Sequence, residues 1–184
     1  MGLAVGAVVL AGAVEAEATW SIVLADTETK EVACGTVTCL NGFDLLDIVP
    51  VIVVGEGAAA VQAAGDFAGT RRPVIFDGFR DGLTPDEIFE TLDNFSGHQQ
   101  RQYGIVDTDG NTLTFTGSQT FAWAGGVTGQ QGTLYYAIQG NILAGPCVVP
   151  AIEDAVLNTP GDMAEKLMAG MRAARDEGGD GRCS

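Results

Sequence analysis

The stretch Ala16-Glu17-Ala18-Thr19-Trp20-Ser21-Ile22-Val23 separates two unlike parts of the chain and constrains what each can become. Before it runs an apolar segment, Leu3 to Val14, which is shorter than the ~20 apolar residues a bilayer-spanning helix needs. After it the side chains alternate. Trp20, Ile22 and Leu24 share one parity and Ser21 and Val23 the other, which is the period of a strand. Ala16 and Ala18 place small residues where a signal peptidase reads them, so residues 1–18 are expected to be a removable leader and residues 19–184 a single domain. No Lys or Arg precedes the apolar run, a departure from the usual leader pattern. Cleavage after Ala18 would make Thr19 the first residue, at the head of a strand. An N-terminal threonine can act as a nucleophile because its own α-amine can take the hydroxyl proton.

Charge narrows the choice of partners. The formal net charge is −15, and removing the leader takes away only Glu15 and Glu17. Such a surface repels phosphate backbones and anionic headgroups, so neither nucleic acid nor a membrane surface is expected as a partner. The four cysteines are an even number, which suits an oxidising compartment, and a secreted or periplasmic location is expected. No cysteine pair has metal-site spacing, Cys34 and Cys39 are too far apart for a CxxC motif, and no cofactor is expected.

The 26 glycines fall largely between short apolar runs and point to strands joined by tight turns. Trp20–Ala25 and Glu31–Thr38 read as a hairpin across the polar turn Asp26-Thr27-Glu28-Thr29-Lys30, which brings Thr19 near Val37 and Thr38. Ile48–Val54 and Ala58–Ala63 read as strands, and so do Tyr103–Val106, Thr112–Phe115 and Leu134–Gln139. Thr70–Arg80 reads as a helix despite Pro73. Thr84-Pro85-Asp86-Glu87 is a capping box ahead of Ile88, Phe89, Leu92 and Phe95 at helical spacing. Val148–Leu157 reads as another helix. Thr159-Pro160-Gly161-Asp162 reads as a second cap, opening a helix with Met163, Leu167 and Met171 on one face.

Several motifs look chemical and read better as structure. Gly55-Glu56-Gly57-Ala58-Ala59-Ala60 fits a dinucleotide fingerprint in letters, but no sustained helix follows before Gly65, so it reads as a strand turn. Asp107-x-Asp109-x-Asn111 begins like a calcium loop, yet Ser118 stands where the bidentate glutamate belongs. His98 is the only histidine and so the one candidate for a Ser/His/Asp triad; beside Gln99 and Gln100 in a polar loop it reads as a solvated residue. In Gln139-Gly140-Asn141 two amides bracket a glycine at a strand end, where they can line an oxyanion site or close a polar turn on themselves.

Taken together, Thr19-Trp20-Ser21-Ile22-Val23, Tyr103-Gly104-Ile105-Val106-Asp107, Thr116-Gly117, Gln139-Gly140-Asn141-Ile142-Leu143 and Gly179-Asp180-Gly181-Arg182-Cys183 resemble a bacterial family of unknown function, number 1028 in that series. The resemblance runs in order from Thr19 to the end of the chain. It implies an α+β fold similar to the N-terminal nucleophile hydrolases: a four-layer αββα sandwich, two antiparallel sheets face to face between helical layers. It also implies that a further apolar strand follows Ser184, so the sandwich is expected to lack its C-terminal strand or strands here. The activity implied is hydrolysis of an amide bond in a peptide or small amide, with Thr19 as nucleophile. Asn141, with Gln139 nearby, would stabilise the oxyanion, and Asp180 and Arg182 would hold the amine and hydroxyl or form a structural ion pair. Relatives often carry a basic residue at the end of the second strand, where this chain has Cys39. A disulfide between Cys39 and Cys183 is implied by the exported branch of the family, leaving Cys34 and Cys147 paired or as free thiols. The competing class is an extracellular binding or structural module with this fold and no turnover.

Overall fold

The computed structural model describes residues 19–183; the expected leader and its cleavage point at Ala18 lie outside them. The chain lays down strands β1 (Thr19–Asp26), β2 (Val32–Val37), β3 (Pro50–Val53) and β4 (Gly57–Gln62), then helices α1 (Arg71–Arg80) and α2 (Pro85–Leu92). Strands β5 (Gln102–Asp107), β6 (Thr112–Thr116), β7 (Gly125–Gln131) and β8 (Leu134–Asn141) follow, then helices α3 (Val148–Asn158) and α4 (Met163–Asp176). The strands form two four-stranded antiparallel sheets, ordered β2-β1-β8-β7 and β3-β4-β5-β6.

Alternation along each strand sorts the side chains into layers. Trp20, Ile22 and Leu24 join Tyr136 and Ile138 against Val148, Ile152 and Val156 of α3 and the apolar side of α4. Val51, Ala59, Val61, Tyr103 and Ile105 pack against Ile75, Phe79, Ile88 and Leu92 of α1 and α2. The opposite parities, Val23, Ala25 and Ala137 from one sheet and Ala58, Ala60 and Val106 from the other, meet in the space between the sheets. The result is the expected α+β sandwich with helices outside both sheets. Alanine dominates that inner layer, so the sheets face each other across short side chains and a larger inward residue is at once noticeable.

Local signals account for most boundaries. The Asp26 carboxylate accepts from the amides of Glu28 (2.9 Å) and Thr29 (2.8 Å) and so closes the first hairpin. The Thr84 cap forms its reciprocal box with Glu87. The second cap is shifted from the expected place: Asp162, not Thr159, caps α4, exchanging bonds with Glu165 at 2.9 and 3.0 Å. Thr159 instead ends α3 in an extended conformation, and Gly161, at φ +115°, turns the chain into the new helix. Strand β7 has no counterpart in the sequence reading. Gly125-Gly126-Val127-Thr128-Gly129-Gln130-Gln131 has weak strand propensity, and pairing along β8 from Gly125↔Gly140 to Gln131↔Leu134 is what makes it a strand.

The bland readings of two motifs hold. Gly55 takes a left-handed turn at φ +82° between β3 and β4. Asp107 spends its carboxylate on the amides of Asp109 (3.0 Å) and Asn111 (2.8 Å) and on Asn111 Nδ2 (2.7 Å), a turn closed on itself.

Candidate active site

At one end of the sandwich the inner layer changes character. Following the inward parity of β1 from Ala25 and Val23, the next residues are Ser21 and Thr19; on β8, beyond Ala137, they are Gln139 and Asn141. On β4, after Ala58 and Ala60, comes Gln62; on β5, next to Gly104, comes Gln102. All six polar residues are buried, Thr19 at 3% exposure and Asn141 and Gln139 at 0%. Apolar burial is replaced by amides and hydroxyls, and buried polar groups persist only where bonds or a ligand satisfy them.

Register brings the expected pair together. Thr19 lies directly opposite Asn141, and Ser21 opposite Gln139, so their Cβ atoms fall within cross-strand reach. The Gln62 Nε2 group donates to the Thr19 carbonyl at 3.0 Å and to Gln102 Oε1 at 2.9 Å, while the Ser21 hydroxyl donates to Gln62 Oε1. The Gln102 Nε2 group donates to the Gly140 carbonyl (2.8 Å) and to Thr116 Oγ1 (2.9 Å). Gln62 and Gln102 were missed in the sequence, although a signal exists: each is a polar residue at the inward parity of an otherwise apolar strand. Gln139 differs from them. Neither of its amide atoms has a partner among the described residues, and it fits only because Gly104 and Gly126 lack a Cβ: one at Gly104 would collide with its amide group, and one at Gly126 would approach its Cβ.

Two residues immediately after these side chains adopt left-handed backbone, Ala63 after Gln62 (φ +76°) and Ile142 after Asn141 (φ +51°). For a β-branched residue that conformation is strained, and strain of this kind concentrates at functional sites. The strand end is over-determined by its neighbours: the Ile142 amide donates to Phe121 O (3.1 Å), Leu143 N to Trp123 O (3.0 Å), and Gly181 N to Ile142 O (2.9 Å).

Asp180 and Arg182 reach the same end of the sheet from the other side of β1. Asp180 bridges to Leu143, and Gly179 lies close against the Trp20 ring, whose parity is that of the helical layer. The Asp180 carboxylate takes the Cys39 amide (3.1 Å), the Arg182 amide (3.0 Å) and Arg182 Nε and Nη2 (3.1 and 2.9 Å). Burial alone would raise its pKa; the guanidinium and two backbone amides outweigh that and hold it below the usual carboxylate range. Beside this ion pair Cys39 and Cys183 form a disulfide, with Cα atoms 6.0 Å apart, as the sequence resemblance implied. Asp180, Cys39 and Cys183 border a cleft of about 250 Å³ shared with Trp20, Val37 and Gly178. Cys34 and Cys147 are free thiols, Cys147 exposed and Cys34 packed against the inter-sheet cluster.

His98 belongs to neither group. The expectation of a solvated loop residue fails, because its side chain is 5% exposed and its ring packs on Phe115 (4.3 Å), Phe89 (5.3 Å) and Tyr103 (5.6 Å). Those rings sit in the α1/α2 layer, on the far face of the second sheet from Thr19, so His98 cannot serve as a base for that hydroxyl.

A family model described as a family of unknown function (DUF1028) matches residues 19–184. The chain belongs to the DUF1028 family. The crystal structure of protein SPO2555 from Silicibacter pomeroyi, which carries the same DUF1028 designation, is similar to this chain with a TM-score of 0.72 and 25% identity. The likeness covers 86% of this chain and 70% of that one. No curated protein matches this DUF1028 chain. The polar end of the inner layer, from Thr19 and Ser21 to Gln139 and Asn141, lies within the family match.

Proposed function

We propose that this DUF1028 chain is a secreted or periplasmic amide hydrolase of the N-terminal nucleophile type, with Thr19 as nucleophile once residues 1–18 are removed. One observation carries the reading. Thr19 heads the central strand β1, faces the space between the sheets and pairs residue for residue with Asn141, at the end of the sandwich where amides replace alanines. While Ala18 is attached, the nitrogen of Thr19 is an amide without a basic lone pair, so the precursor is inert. Cleavage frees an amine with an unperturbed pKa of about 8, substantially neutral near neutral pH.

That amine, through a water, takes the proton of Thr19 Oγ1 as the oxygen bonds to the substrate carbonyl carbon. The carbonyl oxygen becomes an oxyanion, which the side-chain amide of Asn141 stabilises; removing one such donor costs on the order of 10²–10³ in rate. Collapse breaks the C–N bond, the leaving nitrogen takes the proton from the α-ammonium, and water hydrolyses the resulting ester. Asp180 and Arg182 serve this scheme indirectly, by clamping the segment that follows Asn141. The disulfide supports an oxidising compartment, and among the described residues no helix is long and apolar enough to cross a membrane.

The test is a chain prepared to begin at Thr19, its N-terminus verified by intact mass. It should hydrolyse members of a peptide and amide panel and be labelled by N-terminal-threonine-directed electrophiles, and Thr19→Ala should abolish both. Absence of labelling and of turnover in the verified chain would replace this reading with the second one, a binding module without turnover. That alternative is favoured by Cys39, which stands where the resemblance leads one to expect a basic residue and is committed to Cys183 and Asp180.

A further inference from the structure

We infer that Gln62 and Gln102 are positioning residues for the reacting pair, an inference that rests on Thr19 acting as the nucleophile. The two amides belong to the second sheet, yet both reach across the interior to the first. Their orientations are not free choices. A backbone carbonyl can only accept, so the atom of Gln62 facing Thr19 O must be the NH₂ group, and its Oε1 then receives the Ser21 hydroxyl. The atom of Gln102 facing Gly140 O must likewise be its NH₂ group, and its Oε1 receives the second proton of Gln62 Nε2. The chain of donors therefore runs one way, from Ser21 through Gln62 and Gln102 to β8.

The carbonyls at its two branches are the informative part. One belongs to Thr19 itself and the other to Gly140, the residue before Asn141. Nucleophile and oxyanion donor are thus referenced to one rigid pair of side chains, at 1% and 0% exposure, anchored on β4 and β5. Structural need alone does not call for this. Elsewhere the same layer is closed by apolar side chains such as Ala58, Ala60 and Val106, whereas Gln62 and Gln102 are buried with their amide bonds made, which offsets the cost of taking them out of water. After cleavage Thr19 loses its upstream neighbour, and the carbonyl held by Gln62 becomes the tether between its reacting groups and the second sheet.

The experiment uses the chain beginning at Thr19, with Gln62→Met and Gln102→Met to remove the bonds at near-constant volume and Gln62→Glu to remove the donor while keeping the shape. Melting temperature, the maximal rate of Thr19 labelling, kcat and KM are measured, with Ile75→Val in the distant outer layer as a control of comparable melting loss. The expected result is a fall on the order of 10²-fold in labelling rate and kcat with KM nearly unchanged, since a displacement near 1 Å is enough for that. In the parent chain the side-chain amides of Gln62 and Gln102 should exchange slowly by NMR. Variants that keep their labelling rate within about twofold, or lose it only as far as Ile75→Val does at matched stability, would overturn the positioning role. So would rapid exchange of both amides in a chain that labels normally. Slow exchange in a verified chain that neither labels nor turns over would instead sink the nucleophile assignment, and the positioning role with it.

Discussion

Removing the Cys39–Cys183 bridge should weaken the fold more than any single surface change. The two cysteines are separated by 144 positions, so the bond closes nearly the whole domain into one loop. In the chain-entropy account a loop of that length stabilises the native state by about 5 kcal/mol, as an upper value. On the folded side the segment keeps other ties. Ala144 N still donates to Gly179 O at 2.9 Å, Gly181 N to Ile142 O at 2.9 Å, and Asp180 still holds Arg182. The loss should therefore come chiefly from the unfolded state, without displacement of the segment. For a domain of this size each kcal/mol is worth about 2–4 °C, so Cys183→Ser should lower the melting temperature by about 10 °C or more. Differential scanning calorimetry of Cys39→Ser, Cys183→Ser and the double variant, all without reductant, makes the check. The double should melt with either single, because the second substitution removes nothing further. A drop under about 3 °C, or a double variant clearly worse than both singles, would refute the loop-closure reasoning.

Other outcomes follow from the same geometry. Cys147 should react with a thiol reagent in the native protein, whereas Cys34, partly buried and with its thiol pushed by burial up to about 12, should react far more slowly until the chain unfolds. For Asp180 the folded pKa lies below the unfolded value of about 3.9, so its stabilisation is present above that value and is lost as pH falls through the folded one. Asp180→Asn should accordingly lower the melting temperature at neutral pH, with the gap to the parent closing in acid. Gly104→Ala would drive a methyl into the Gln139 amide and should cost about 1–3 kcal/mol in denaturant unfolding, a cost that Gln139→Ala in the same chain should largely relieve.

What the amino-acid order alone determined here is everything that depends on near neighbours. The alternation of Trp20 to Ala25 specified a strand with one face for each side of a sheet, because parity is a property of the backbone. The Thr84 cap, the Asp26 turn and the Asp107 turn depend on side chains two to four residues from the amides they satisfy, and all were legible. By the same local rule Thr159 reads as the cap of α4, yet the left-handed turn at Gly161 starts the helix later, with Asp162 as its cap. The site was legible only in its parts. Thr19, Gln139 and Asn141 could be singled out by residue type and family resemblance, but their apposition is a matter of register between strands more than a hundred residues apart. Strand β7, with almost no propensity of its own, exists because β8 offers it a ladder of unpaired amides and carbonyls. His98 was misread for the same reason: a polar loop in sequence lies under Phe89, Tyr103 and Phe115 only once α2 folds back over β5 and β6. Gln62 and Gln102 look like the polar ends of two ordinary strands; only when the sheets stack face to face do their amides meet the carbonyls of Thr19 and Gly140. Hydrogen bonds between sheets depend on distance in space, which the order of residues does not encode locally.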